Sequence, residues 1–408
     1  MKTIILFSFI LISNANADCS PKDLTDPDYL KSVGKEGLIK HFQTPRDQDG
    51  VGWCGAYAPA DSLSFAIGEP ISSLDVSINE YANQGANPRT SNKVAGKRLE
   101  ELRGISPLSA TDIARTNGYC PESVIPSNQT SSSNLGHSAI LKLMETFQKI
   151  HDDYVIKGRP ADYCASCTEN YEKVIKPSLP GVTADMIKDV LNRNQYDSLA
   201  SFRDLLNQLC EGRRVKVDPQ VDLIYKSSLG SKTIANVIDE AFENNSMPSI
   251  GMNTSFFANA ESLPGGHGAH ELMIVGRRMG TNGKCEYQVR NSWGRGCTYY
   301  QPAIAAKCEP EKGSFWMDQD QLQTGVTDVL VIKNERMRAV KEKETIFKDI
   351  FNSGSKQTDN DSIFSKLPTE SDISSFMGKV SETAAKVAKG ISEGVSSIWK
   401  SLSNAFKY

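Results

Sequence analysis

Cys54 stands six positions after Gln48, between the stretch Asp49-Gly50-Val51-Gly52 and an apolar-patterned segment. A helix beginning near Cys54 places the thiol among unpaired backbone N–H groups, where the positive end of the helix dipole favours a thiolate. Thiol catalysis of acyl transfer also needs an imidazole to move the proton, a group to orient that imidazole, and donors for the oxyanion. The chain holds candidates for each part. His270, just before the apolar run Leu272-Met273-Ile274-Val275, is the candidate base, and Asn291 offers an amide oxygen to the second ring N–H. Gln48, together with the backbone N–H of Cys54, would bind the oxyanion. Trp293 would cover the His270–Asn291 hydrogen bond and keep water from it. Plain structural alternatives stand beside these readings: a buried or bridged Cys54, His267 as the base instead of His270, Asn291 as a turn residue, and Trp293 as a core side chain.

Such residues need elements to hold them. From Cys54 to about Ser231 the chain reads mostly as helix and loop, with helical patterns at Ala139 to His151, Ala184 to Leu191 and 197–210. From Lys232 the character changes. A helix face at Ile234, Val237, Ile238, Ala241 and Phe242 precedes the strand-like runs PSIGMNT, ELMIVGRR, CEYQVRNSW, SFWM and TDVLVI, with a hairpin turn at Thr281-Asn282-Gly283. A helical first half and a sheet-rich second half predict two lobes of one α+β domain.

The ends of the chain read differently. Residues 1–17 have the pattern of a signal peptide: Lys2, an apolar run from Ile4 to Ile12 too short to span a bilayer, and small residues at Ala15 and Ala17. Cleavage near Ala17 would leave Asp18 first, so Cys19 is not read as a lipoprotein cysteine, and the expected product is soluble, either secreted or periplasmic. Residues 18–40 form a lead-in and 336–372 a charged, Ser/Asp/Asn-rich linker. Residues 373–408 place Ile373, Phe376, Val380, Ala384, Val387, Ile391, Val395, Ile398, Leu402 and Ala405 on one face of a long helix, suited to a membrane surface or to a protein contact.

Charge and cysteines narrow the class. The 408 residues carry 46 basic and 49 acidic side chains, and removing Lys2 with the signal leaves 45 minus 49, or −4, which argues against a nucleic-acid binder. Nine cysteines, at 19, 54, 120, 164, 167, 210, 285, 297 and 308, leave eight for bridges once Cys54 is set aside. Connectivity is open. Cys164 and Cys167 are read as structural cysteines ahead of a zinc or redox pair, and no cofactor or metal is expected.

With these residues in order, the chain resembles a papain-like cysteine peptidase. Thr44-Pro45, Gln48, Cys54 and Tyr57 match the family's first signature, His270 to Val275-Gly276 its second, and Asn291-Ser292-Trp293-Gly294 its third. The resemblance implies a two-lobed fold over 41–335, with Cys54 on a helical lobe and His270 and Asn291 on an antiparallel sheet lobe. It also implies hydrolysis of a peptide or protein substrate. Several departures accompany it. Gly55 replaces the usual aromatic, Pro59 falls in the first turns of the expected helix and should make them irregular, and Val51 replaces a usual cysteine. The long Cys54-to-His270 spacing implies a helical insertion within about 121–230, and the lead-in is too short for a long inhibitory propeptide. Two other classes remain: a non-catalytic peptide-binding module on the same fold, and a membrane-associated interaction protein acting through 373–408.

Overall fold

The computed structural model describes residues 19–87, 96–127, 139–156, 169–216, 220–259, 261 and 268–333. The chain divides into two units, Met1–Lys343 and Glu344–Tyr408. The second unit lies outside the described residues. So do the expected signal peptide, linker and amphipathic helix, His267, and the pair Cys164 and Cys167.

The first unit is α+β, with two apolar cores. After two short helices, α1 (Pro27–Ser32) and α2 (Ile39–Gln43), one core joins the helices α3 (Cys54–Ile67), α4 (Ser73–Ala86), α5 (Pro107–Asn117) and α6 (Ala139–Ile156) to the helices Ala184–Arg193 and Ser198–Leu209. Four of these six helices start with capping chemistry: the side chains of Ser72, Ser106, Thr183 and Asp197 each accept a backbone N–H of the first turn. The other core lies between the helix Ile234–Glu243 and an antiparallel sheet. That helix opens with a reciprocal Thr233–Asn236 box and buries Ile234, Val237, Ile238, Ala241 and Phe242, the face expected from their spacing.

The sheet has eight strands: β1 (Lys22–Asp23), β2 (Gln220–Tyr225), β3 (Ser249–Asn253), β4 (Ala269–Met279), β5 (Cys285–Arg290), β6 (Cys308–Glu309), β7 (Ser314–Asp318) and β8 (Val326–Lys333). The order is β2-β8-β3-β4-β5-β7-β6, with β1 on β4. The five runs expected as strands became β3, β4, β5, β7 and β8, and the turn joining β4 to β5 closes through Gly280 N–H to the Lys284 carbonyl at 2.8 Å. Three strands depart from expectation. β6 is a two-residue strand on β7, while β2 forms inside the region read as helix and loop and β1 in the lead-in, because these two are completed only by distant partners, β8 and β4 respectively. The lead-in also gives Leu24, Leu30 and Leu38 to the sheet core, and Cys19 is bridged to Cys285.

α3 lies where the two cores meet. Ala56, Tyr57, Ala60 and Leu63 face the helical core while Ala58 and Phe65 face the sheet core, so Gly55 to Phe65 is buried without a break. A helix buried on all sides carries small and apolar residues all round, as this one does. It remains α-helical from Cys54 through Pro59 to a Gly68 cap at φ 82°, so the irregular first turns expected from Pro59 do not occur. Proline withholds one N–H, and packing on two sides holds the helix despite that loss.

Candidate active site

Cys54 begins α3 after a left-handed Gly52 (φ 65°), and no side chain caps the helix. Its sulfur is unbridged and the residue is half-buried, whereas the other cysteines of the described residues form the bridges Cys19–Cys285, Cys120–Cys210 and Cys297–Cys308. Gly55 is required by a close approach: a Cβ there would sit 1.9 Å from the Ile105 carbonyl oxygen. The aromatic that the resemblance places after the nucleophile is here Trp53, before it. Trp53 is fully buried, donates through Nε1 to the Leu102 carbonyl at 3.2 Å and lies 5.9 Å from the Tyr81 ring.

On the sheet lobe, His270 near the start of β4 and Asn291 just past β5 are brought together. His270 Nε2 lies 2.8 Å from Asn291 Oδ1, and both residues are buried. The Ser292 backbone N–H donates to the same Oδ1 at 2.7 Å, which fixes that atom as the oxygen; Nδ2 donates to the Tyr300 hydroxyl at 3.1 Å. With Oδ1 accepting, Nε2 carries the ring proton and Nδ1 is left to accept another. Trp293 packs 4.7 Å from the imidazole, and Phe257 lies 5.9 Å from it. This aromatic wall excludes water from the His–Asn bond.

Gln48 is strapped to the Asn291 segment. Its N–H donates to the Ser292 carbonyl at 2.8 Å, Gly294 N–H donates to the Arg46 carbonyl at 2.7 Å, and the Ser292 hydroxyl donates to Gln48 Oε1 at 2.5 Å. That last bond orients the carboxamide and leaves Nε2 to donate elsewhere.

Electrostatics corrects one expectation. Burial pushes the Cys54 thiol up, and the backbone N–H groups of Glu271, Gly55 and Cys54 only partly offset this. Burial likewise lowers His270 to about 4, against the bond to Asn291, which favours the charged ring. Both groups are therefore neutral at rest, not the thiolate that the helix terminus alone predicts, because desolvation outweighs a partial charge. No hydrogen bond joins Cys54 Sγ to His270 among the described residues, although the sulfur faces the backbone of Glu271, the next residue. Burial pushes the Glu271 carboxyl well above the usual carboxylate range, which disfavours a negative charge beside the sulfur, and the carboxyl accepts the Ser249 hydroxyl at 2.7 Å.

Beneath the site lies a buried ionic cluster that sequence reading missed. Asp61, seven residues after Cys54 on α3, meets Arg46 Nε at 3.3 Å, Arg290 Nε at 3.0 Å and His41 Nε2 at 2.8 Å. Arg290 also donates to the carbonyls of Phe42, Lys312, His41 and Thr44, so all five of its N–H donors are used. One carboxylate thus ties together the three segments carrying Cys54, Gln48 and Asn291. Ser292 was within reach of the sequence motif; Asp61, Arg290, Phe257 and Tyr300 have no local signal.

No protein-family model matches the chain, and no curated protein matches it. Among solved structures it is similar to the bromelain protease from Ananas comosus in complex with the E64 inhibitor, at 11% identity and TM-score 0.34, covering 77% of this chain and 99% of that one. It is also similar to the ragweed pollen allergen Amb a 11, a cysteine protease in its proform, at 12% identity and TM-score 0.34, covering 71% of this chain and 55% of that one. PepW from Lactobacillus rhamnosis is similar at 15% identity and TM-score 0.33, covering 76% of this chain and 83% of that one. Likenesses this distant say nothing of activity.

Proposed function

We propose that this chain is a papain-like cysteine peptidase, exported after loss of residues 1–17. The observation that carries the reading is the buried His270–Asn291 pair at 2.8 Å with Gln48 strapped beside it, in a chain whose unbridged Cys54 opens the central helix. His270 Nδ1 takes the proton of Cys54 as the sulfur attacks the peptide carbonyl. Gln48 Nε2 and the Cys54 backbone N–H hold the oxyanion, His270 then protonates the leaving amine, and water releases the acyl group. Three disulfides among the described residues fit assembly in an oxidising compartment.

The raised thiol and the missing thiol–imidazole bond favour a second reading, a non-catalytic peptide-binding module. A thiol-reactive peptide probe separates them. Under the peptidase reading Cys54 is labelled far faster than free cysteine, and His270→Ala removes that advantage; labelling indifferent to His270 supports the module.

A depressed imidazole also sets the acid limit. His270 must be neutral to accept the proton, so kcat/KM is expected to fall with a midpoint near pH 4, and a midpoint near 6.5 would refute a buried neutral ring. Stability follows the same sign: the unfolded ring binds its proton near 6.5 and the folded one near 4. On the order of 3 kcal/mol is therefore lost as pH falls between those values, read as a drop in denaturant midpoint.

A further inference from the structure

We propose that Tyr300 is a positioning residue of this site, holding the Asn291 carboxamide through its hydroxyl; the proposal rests on the peptidase reading. Asn291 has three polar restraints, two on Oδ1 from His270 and Ser292 and one on Nδ2 from Tyr300 at 3.1 Å. The two on Oδ1 leave the amide plane free to pivot about that atom, and the bond to Tyr300 fixes the plane. Donation from Nδ2 also shifts electron density through the amide toward Oδ1, which strengthens it as an acceptor for an imidazolium. Tyr300 thereby favours the state of His270 that appears when the ring has taken the thiol proton.

The rest of Tyr300 is built to keep that hydroxyl in place. The side chain is buried, its ring lies nearly parallel to Trp293 (17°, 5.9 Å) and against Phe315 (4.6 Å), and its backbone bridges Ala258. Gln301 N–H donates to the Phe257 carbonyl at 2.9 Å, and the bridge Cys297–Cys308 closes the loop that carries it. The hydroxyl lies behind Asn291 and acts through it, so it positions and does not touch the reacting atoms.

The test is Tyr300→Phe in the full chain, which removes one oxygen and keeps the ring. We expect kcat to fall about tenfold with KM within about twofold. The acid limb should move to lower pH, because His270 loses support for its charged form. Of the titratable groups near this ring, Cys54 on α3 and Glu271 on β4 keep their places in the variant. Imidazole titration followed by NMR reads the same shift without turnover: a lower His270 pKa in the variant supports the proposal even if the wild type hydrolyses no peptide, an outcome that would sink the peptidase reading alone. An unchanged His270 titration with unchanged kcat overturns the role of Tyr300. A matched fall in thermal stability with kcat and pH profile at wild-type values would make Tyr300 a packing residue only, and also overturns it.

Discussion

Cys54→Ala protein is expected to hydrolyse peptide at no more than about one ten-thousandth of the wild-type rate. The loss is that large because the sulfur forms the bond that splits one difficult step into two, and no other group beside His270 offers a replacement. Every other cysteine of the described residues is in a disulfide, and the neighbouring Glu271 carboxyl is pushed up by burial and bonded to Ser249. The fold should tolerate the change, since the residue is half-buried, the substitution removes one atom, and the sulfur pairs with no other sulfur. Rates on a peptide library with matched denaturant midpoints give the measurement. Hydrolysis that persists in Cys54→Ala would assign the activity to another centre and end the peptidase reading.

Asp61→Asn is expected to cost the fold about 3–5 kcal/mol, the scale for removing one partner of a buried ionic cluster. The amide occupies the same volume, so the loss is one of charge: Arg290 remains buried with no carboxylate, and Arg46 keeps only Glu122, at 3.5 Å. Burial alone would raise the Asp61 carboxyl, but Arg46, His41 and Arg290 overcome it and hold the group well below the usual carboxylate range. His41 is itself lowered, first by burial, so its contact with Asp61 is a hydrogen bond from a neutral ring. The stability due to Asp61 is therefore present above about pH 4 and lost as pH falls below it. Chemical denaturation at pH 7 and pH 3 measures both statements: the gap between wild type and variant should be full at 7 and smaller at 3. A gap under about 1 kcal/mol at pH 7 would mean that the cluster merely fills space.

Much of the site was legible because its parts are local patterns. Asn291-Ser292-Trp293-Gly294 announces a polar turn after an apolar strand, and the strand CEYQVR did form where the alternation placed it. The helix at Cys54 was legible too, from a glycine-rich turn followed by an apolar-patterned segment, and it forms over Cys54–Ile67. The cluster under the site was not. Arg46 and Arg290 are 244 positions apart, and each reads alone as a surface charge. Asp61 looks like a polar interruption in a helix, and only the packing of α3 between two cores makes its carboxylate the partner that both guanidinium groups share. The same holds for β2, a short run of modest alternation that becomes a strand because β8 offers it six paired positions.

The sequence by itself determined which side chains could carry thiol chemistry, the α+β class, and the places of the helices at Cys54 and Ile234 and of the strands β3, β4, β5, β7 and β8. Those follow from residue type and period, quantities that neighbours along the chain define. The tertiary structure decided the protonation of Cys54 and His270, the bond from Asn291 to Tyr300, and why position 55 must be glycine beside the Ile105 carbonyl. Each depends on how much water is excluded and on what approaches from far along the chain. Desolvation and close contact are properties of the packed interior, which no local pattern of residues encodes.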